Sequence, residues 1–310
     1  MRKKTALIIT LIMCLFILCS CGAEKPEKAD NGKLSIVTTI FPQYDFARKI
    51  FGDKANITML LPPASDAHSF EPTPSDVIKL INSDLFIYVG GESEEWVNDI
   101  SSSAELKPEK TLKFCDIIPF SEEKTTSEDE HGHGHEYDEH VWTSVRNSMK
   151  ICRAIYEKAA EIDPENKEFY EKNYNEYVNK LEKLDEEFSD ITKNAKRNTI
   201  IFGDRFPFMY FANDYGLSYY AAFPGCASET EPSAATIASL TDKIREENIP
   251  TVFYIEFSNE KTADILCENT GAKKLLFHSC HNVTKEQFES GIGYVELMEQ
   301  NAKNLREALN

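Results

Sequence analysis

The chain has 310 residues, 41% hydrophobic and 28% charged, enough to bury one large core or two lobes of about 130 to 150 residues each. Acidic residues outnumber basic ones by 52 to 34, a formal charge of −18, which argues against a nucleic-acid binder and favours cationic over anionic ligands. Thirteen Gly and thirteen Pro are ordinary counts and exclude collagen-like or linker-dominated chains.

Arg2, Lys3 and Lys4 precede an apolar run from Ala6 to Cys19 that only Thr10 interrupts. That is the length of a signal-peptide core, whereas a spanning helix needs about 20 apolar residues. Leu18-Cys19-Ser20-Cys21-Gly22 ends the run. A small residue before a Cys that precedes Gly resembles a bacterial lipobox, with Cys21 as the lipidated residue. The expected boundaries are a signal peptide over 1–20 and a polar, flexible tether over 21–33. No later stretch is apolar for long enough to span a membrane, so membrane attachment is expected only through the lipid. Beyond Cys21 the chain carries Cys115, Cys152, Cys226, Cys267 and Cys280 without a CxxC pair. An odd number leaves at least one thiol free or ligating.

Lys33–Thr39 reads as a buried strand, Phe41–Phe51 as a helix and Ile57–Leu61 as a second strand. Pro74–Asn82 follows as a helix, Asp84–Val89 as a third strand, Ser93–Ser101 as a helix and Thr111–Cys115 as a weak fourth strand. Apolar strands alternating with amphipathic helices predict a parallel α/β sheet. The second half repeats the grammar. Its strands are Thr199–Phe202, Tyr219–Phe223, Thr251–Phe257 and Lys274–Phe277; its helices are Phe206–Tyr215, Ser233–Glu247, Lys261–Thr270 and a closing Tyr294–Leu309.

Between the halves, Tyr170, Tyr174, Tyr177, Leu181, Leu184, Phe188 and Ile191 alternate spacings of four and three. That stripe predicts one long helix from Pro164 to Lys193, roughly 45 Å at about 1.5 Å per residue. Asp163-Pro164 supplies an N-cap and a first-turn proline. The predicted fold is therefore α/β with two lobes, each a parallel sheet of about four strands flanked by helices, joined by one long rigid helix. The lobes are 34–163 and 196–310, with the linking helix over 164–195.

Four of the seven histidines fall within ten residues: His131, His133, His135 and His140. The segment 127–140, SEDEHGHGHEYDEH, alternates His with Gly among carboxylates and cannot form a core element. Such donors on a flexible chain bind divalent transition metals weakly and adaptively. His68 lies in a Pro-bounded loop after the second strand, and His278, Cys280 and His281 follow the last strand of the second half. In doubly wound sheets, ligands bind beyond the carboxyl ends of strands. Facing lobes would bring these residues together across a cleft.

The motifs at these positions resemble those of the metal-binding solute-binding proteins of ABC transporters, the group that delivers zinc or manganese. The resemblance covers essentially all of the chain beyond the tether. His68-Ser69-Phe70-Glu71-Pro72-Thr73-Pro74-Ser75-Asp76 matches the first-ligand motif, and Asp138-Glu139-His140-Val141-Trp142 matches the second. Thr38-Thr39-Ile40-Phe41-Pro42, Glu231-Pro232-Ser233, Tyr254-Ile255-Glu256 and Gly293-Tyr294 resemble further landmarks. The His-rich acidic loop is a trait of the zinc branch.

That resemblance implies a lipid-anchored, extracytoplasmic, monomeric receptor that hands a divalent ion to a membrane permease, without catalysis and without nucleic acid. It implies His68, His140 and His278 as metal ligands, with a water, Glu256, Cys280 or His281 as a fourth, and His131, His133 and His135 as an auxiliary metal loop. Glu71 and Glu256 are expected to orient the imidazoles, and Arg205 to pair with Asp204 or another carboxylate near the site, or to hold the lobe through a salt bridge. Arg205 stands where the family has a His or Glu ligand, and a guanidinium cannot ligate a cation. Three imidazoles suit Zn²⁺ better than Mn²⁺, which prefers oxygen donors. Cys226 and Cys280 are candidates to pair, which would remove Cys280 as a donor. A manganese or iron carrier, a secreted zinc hydrolase and a surface adhesin remain as alternatives.

Overall fold

The computed structural model describes residues 32–66, 69–103, 106–122, 137–223 and 231–310. The signal peptide, Cys21, His68, His131, His133, His135 and Cys226 lie outside the described residues.

The first lobe runs β1 (Leu34–Thr38), α1 (Phe41–Phe51), β2 (Ala55–Met59), α2 (Pro74–Asn82), β3 (Leu85–Tyr88), α3 (Trp96–Ser103) and β4 (Thr111–Lys113). Its sheet has the order β2-β1-β3-β4, and every pairing is parallel. Helices cover both faces, so Ile36, Val37, Phe86 and Ile87 are all buried in consecutive pairs rather than alternately. Local sequence starts the helices. Thr73 Oγ1 accepts the Asp76 N–H and Asp76 Oδ2 accepts the Thr73 N–H, a reciprocal cap closed by Pro74, which has no N–H to satisfy.

A short helix α4 (Phe114–Ile117) follows, then an antiparallel two-stranded stem of β5 (Ser121–Glu122) and β6 (Tyr137–Asp138). Next come α5 (Val145–Ile162) and the long α6 (Lys167–Lys193). The second lobe runs β7 (Thr199–Arg205), α7 (Met209–Tyr215), β8 (Ser218–Phe223), α8 (Ala234–Glu246), β9 (Thr251–Tyr254), α9 (Lys261–Thr270), β10 (Lys273–Leu276), α10 (Lys285–Ser290) and α11 (Tyr294–Leu309). Its sheet order is β10-β9-β7-β8, again parallel. At Gly203 a Cβ would come within 2.5 Å of the Ala263 backbone, so only glycine lets α9 lie this close to β7.

The linking helix is 27 residues, about 40 Å long, and starts later than the sequence predicts. Pro164–Asn166 forms a 3₁₀ turn instead. Asp163 ends α5 and its Oδ2 accepts hydrogen bonds from Asn166 Nδ2 at 2.8 Å and Tyr170 Oη at 2.5 Å, so it fastens two antiparallel helices rather than capping one. The extent of α5, the β5–β6 stem and α10 were not foreseen. Helix α7 begins three residues after the predicted Phe206, because Pro207 disfavours a helical conformation in the residue before it. The fourth strand stops at Lys113, where buried Phe114 turns the chain into α4.

The predicted stripe faces inward. Tyr170, Tyr177, Leu181, Leu184, Phe188 and Ile191 are buried, each contributing about 1.5–3 kcal/mol. They belong to one continuous core with Phe46 and Ile50 of the first lobe and Phe202, Phe277 and Leu305 of the second. Buried Asp45 reinforces it: its carboxylate accepts from Arg48 Nε at 2.6 Å, Tyr177 Oη at 3.0 Å and the Tyr294 N–H at 2.9 Å, joining α1, α6 and α11.

Candidate metal centre

In each sheet the first strand is central and the chain reverses direction beside it. The switch points lie between β1 and β3 and between β7 and β9. Loops leaving the carboxyl ends there splay apart and open a crevice. A small pocket sits at the first switch point, lined by Thr39, Val89, Ser93, Glu94 and Glu139 with Trp142 and, from the second lobe, His281.

His140 follows the β5–β6 stem and is 1% exposed. Its Nδ1 lies 2.9 Å from Asp138 Oδ1, which also accepts the His140 backbone N–H at 2.7 Å. A carboxylate accepts only, so the ring proton sits on Nδ1 and the lone pair on Nε2. This is the arrangement that orients a metal-ligating imidazole. Asp138 Oδ2 is buried with no hydrogen-bond partner among the described residues, negative charge that a nearby cation would offset. The second lobe steadies the stem: Tyr210 Oη accepts the Ser121 N–H at 2.9 Å and donates to the Asp138 carbonyl at 2.7 Å.

The loop after β10 is pinned from several sides. Asn301 Oδ1 accepts the His278 N–H and Asn301 Nδ2 donates to the His278 carbonyl, both at 2.7 Å. Glu256 accepts from Ser279 N–H at 2.7 Å and Ser279 Oγ at 2.5 Å. Trp142 Nε1 of the first-lobe side donates to the Ser279 carbonyl at 2.9 Å. Cys280 takes a left-handed backbone, φ 61°, at a cost these contacts offset. Its N–H donates to His278 Nδ1 at 3.0 Å. The result aims His281 at the first lobe, its ring 5.5 Å from that of His140 and 5.0 Å from that of Trp142.

The second lobe therefore offers His281, expected only as an additional donor, opposite His140. His278 plays a different part. Its Nδ1 takes the Cys280 N–H at 3.0 Å and lies 3.5 Å from Glu256 Oε1, so that nitrogen is turned into the loop rather than towards His140. Glu256 holds Ser279 and faces His278 Nδ1 at 3.5 Å. Cys280 is a fully buried free thiol, and burial holds its pKa well above the usual thiol value; Cys226, its candidate partner, lies outside the described residues. Glu71 is exposed. Arg205 is half-buried at the end of β7. Its neighbour Asp204 is what joins the second switch point, accepting the N–H groups of Arg205 at 2.8 Å and Ile255 at 3.3 Å; burial raises its pKa. Among the described residues no three His, Cys, Asp or Glu side chains gather as a metal site, so the His140–His281 pair needs a further donor.

Two carboxylates behind the pair escaped the sequence reading. Glu139 accepts from the Ser93 N–H at 3.0 Å and from Ser93 Oγ, a fit that depends on Gly91, where a Cβ would strike its carboxylate. Glu94 accepts from Thr39 Oγ1 and from the Gly90 N–H at 2.6 Å. Burial, with the Glu139 charge adding to it, pushes Glu94 up to about 7. Asp138 and Glu139 were legible as neighbours of His140 in the Asp138-Glu139-His140 run; Glu94 carried no signal beyond being a charge near a Gly-Gly turn.

Two α/β lobes on a rigid helix, with an oriented imidazole pair between their switch points, define a helix-linked, two-lobed binding protein. The chain belongs to the family of the periplasmic zinc-uptake complex component A, ZnuA, whose profile matches residues 36–308. It is 33% identical to the high-affinity zinc uptake system protein ZnuA of Bacillus subtilis, over 100% of this chain and 99% of that protein. It is 32% identical to the zinc-binding lipoprotein AdcA of Streptococcus pneumoniae over 98% of this chain, and spans only 61% of that longer protein. Among solved structures, it is similar to the metal-dependent lipoprotein YcdH of Bacillus subtilis, with TM-score 0.75 and 32% identity over 89% of this chain and 99% of that one. It is also similar to the Zn(II)-bound ZnuA-like domain of Streptococcus pneumoniae AdcA, with TM-score 0.74 and 30% identity over 90% of this chain and 99% of that one. Among the described residues no helix is long and apolar enough to cross a membrane.

Proposed function

We propose that this protein is an extracytoplasmic zinc receptor, a monomer tethered through lipidated Cys21, that captures Zn²⁺ and hands it to an ABC-transporter permease. The observation that carries the reading is His140, its Nδ1 on Asp138 and its ring facing His281 across the lobes. The ligand set is His68, His140 and His281, with a water or carboxylate completing a tetrahedron. Three neutral imidazoles favour zinc over manganese. His278 and Glu256 build the turn that presents His281. The relatives that cover the whole chain carry zinc in their names, which supports the choice of metal. His131, His133 and His135 form an auxiliary loop that holds further ions weakly.

Release needs no wide hinge opening, because the lobes share one core with the long helix. Release then rests on loop rearrangement or modest lobe tilting. The test is elemental analysis of the purified protein beside a His68→Ala/His140→Ala variant, with competition against a chelator of known zinc affinity. One tightly held zinc per chain, lost in the double variant, is expected. Metal that survives the double variant would sink the site.

A further inference from the structure

The segment that leads to His68 is held from the other lobe. Residues Pro62–Ser65 leave β2 in a tight turn, with the Ser65 N–H on the Pro62 carbonyl at 3.2 Å. Ala64 within it is left-handed, φ 66°, a conformation that is costly for any residue with a Cβ. Something must therefore hold the turn, and Asn282 does. One Nδ2 hydrogen goes to the Pro62 carbonyl and the other to the Ser65 carbonyl, each at 2.8 Å. Asn282 Oδ1 accepts the Val283 N–H at 2.8 Å, and the Val283 carbonyl accepts the Ala64 N–H at 2.9 Å. Asn282 is 2% exposed, and both of its donors are used.

Asn282 directly follows His281, and Ser65 lies three positions before His68. The same short stretch thus presents one imidazole to His140 and grips the root of the segment carrying another. We propose that Asn282 is a cross-lobe positioning residue for zinc binding, fixing the Pro62–Ser65 turn from which the chain runs on to His68. The proposal rests on the reading of His68, His140 and His281 as zinc ligands. The chemistry of the side chain suits this clamp, since a short amide supplies two hydrogens in fixed geometry for two carbonyls, whereas Asp would turn an acceptor towards both. The lobes are joined independently by α6, the shared core and Asp45, so loss of the clamp frees the turn rather than the lobes.

The experiment uses the full chain and zinc itself. Zinc release into excess chelator is timed for wild type, Asn282→Asp and Ala64→Val, with association rates and hydrogen exchange measured alongside. Ala64→Val burdens the same exposed turn from the first-lobe side with a β-branched residue at positive φ. It carries the test if Asn282→Asp fails to fold. Both variants should release zinc about 10- to 100-fold faster, the range seen when groups that orient metal ligands are lost. Association should change far less, and faster amide exchange should be confined to the segment around Ala64, with α6 unaffected. A wild type that holds zinc, with both variants releasing it at the wild-type rate, overturns the clamp alone. A wild type that holds no tight zinc overturns the ligand reading, and the clamp with it.

Discussion

The ring of His281 stands edge-on to that of His140, at 86° with 5.5 Å between centroids, although the two residues belong to different lobes. Each is fixed by its own scaffold: Asp138 for His140, and the Glu256–Ser279–Asn301 frame for the loop of His281. Two imidazoles held this way cost little reorganisation when a cation arrives between them, which is what a tight site requires.

Single substitutions should separate ligand from scaffold. His140→Ala and His281→Ala should each weaken zinc binding by about 100-fold or more, beyond the 10- to 100-fold typical of groups outside the ligand set. His278→Ala should lower the melting temperature of the metal-free protein and affect zinc less. Chelator competition and thermal melts, run side by side, check the ranking. A His278→Ala variant weaker for zinc than His281→Ala would exchange their roles.

Asp138→Asn keeps the size of the side chain but removes the negative charge facing His140 Nδ1. Zinc affinity should fall by about 10- to 100-fold while the far-ultraviolet circular dichroism stays that of the wild type. Equal affinity in the variant would show that the carboxylate has no part in orienting the imidazole.

Glu94 titrates at about 7 in the folded protein, against 4.5 for an ordinary glutamate, because it is buried and faces Glu139. Between those two values the folded state keeps a proton that the unfolded state releases. Stability contributed by this group therefore falls as pH rises through the window, and the penalty is complete above about 7. At about 1.4 kcal/mol per unit it reaches the order of 3 kcal/mol. Glu94→Gln should raise the melting temperature of the metal-free protein more at about pH 8 than at about pH 5. A gain independent of pH would rule this titration out.

Asp45→Ala strips three partners of their acceptor at the junction of α1, α6 and α11. Stability should drop by about 2–4 kcal/mol, seen as a lower urea midpoint, because Arg48 and Tyr177 lose a charged acceptor in a mostly dry site. A change no larger than that of an ordinary surface substitution would mean that the junction is held by packing alone.

Deleting residues 127–136 should remove weak, additional metal binding and leave one tight zinc in place. Isothermal titration distinguishes the two classes. Loss of the tight site on deletion would make the loop part of it.

Much of this architecture could be read in advance, and particular residues show why. Phe41–Phe51, Pro74–Asn82, Lys261–Thr270 and Tyr294–Leu309 begin and end where Pro, Thr, Gly and the apolar spacing place them, since caps and amphipathic periods are local properties. The stripe on the linking helix announced a buried face for the same reason. The proposed ligands were legible as a set of histidines at strand ends. Which of His278 and His281 faces His140 was not, because the two are three residues apart and the left-handed turn at Cys280 separates their directions.

By itself, then, the sequence determined two parallel α/β lobes, a long helix between them and a metal-binding character, because each follows from residue spacing within a segment. Tertiary structure alone decided that His281 would face His140, that Asn282 would grip the Pro62–Ser65 turn, and that Glu94 would be buried beside Glu139. Those relationships join residues from distant parts of the chain through contacts whose geometry exists only once both sheets have packed against the long helix.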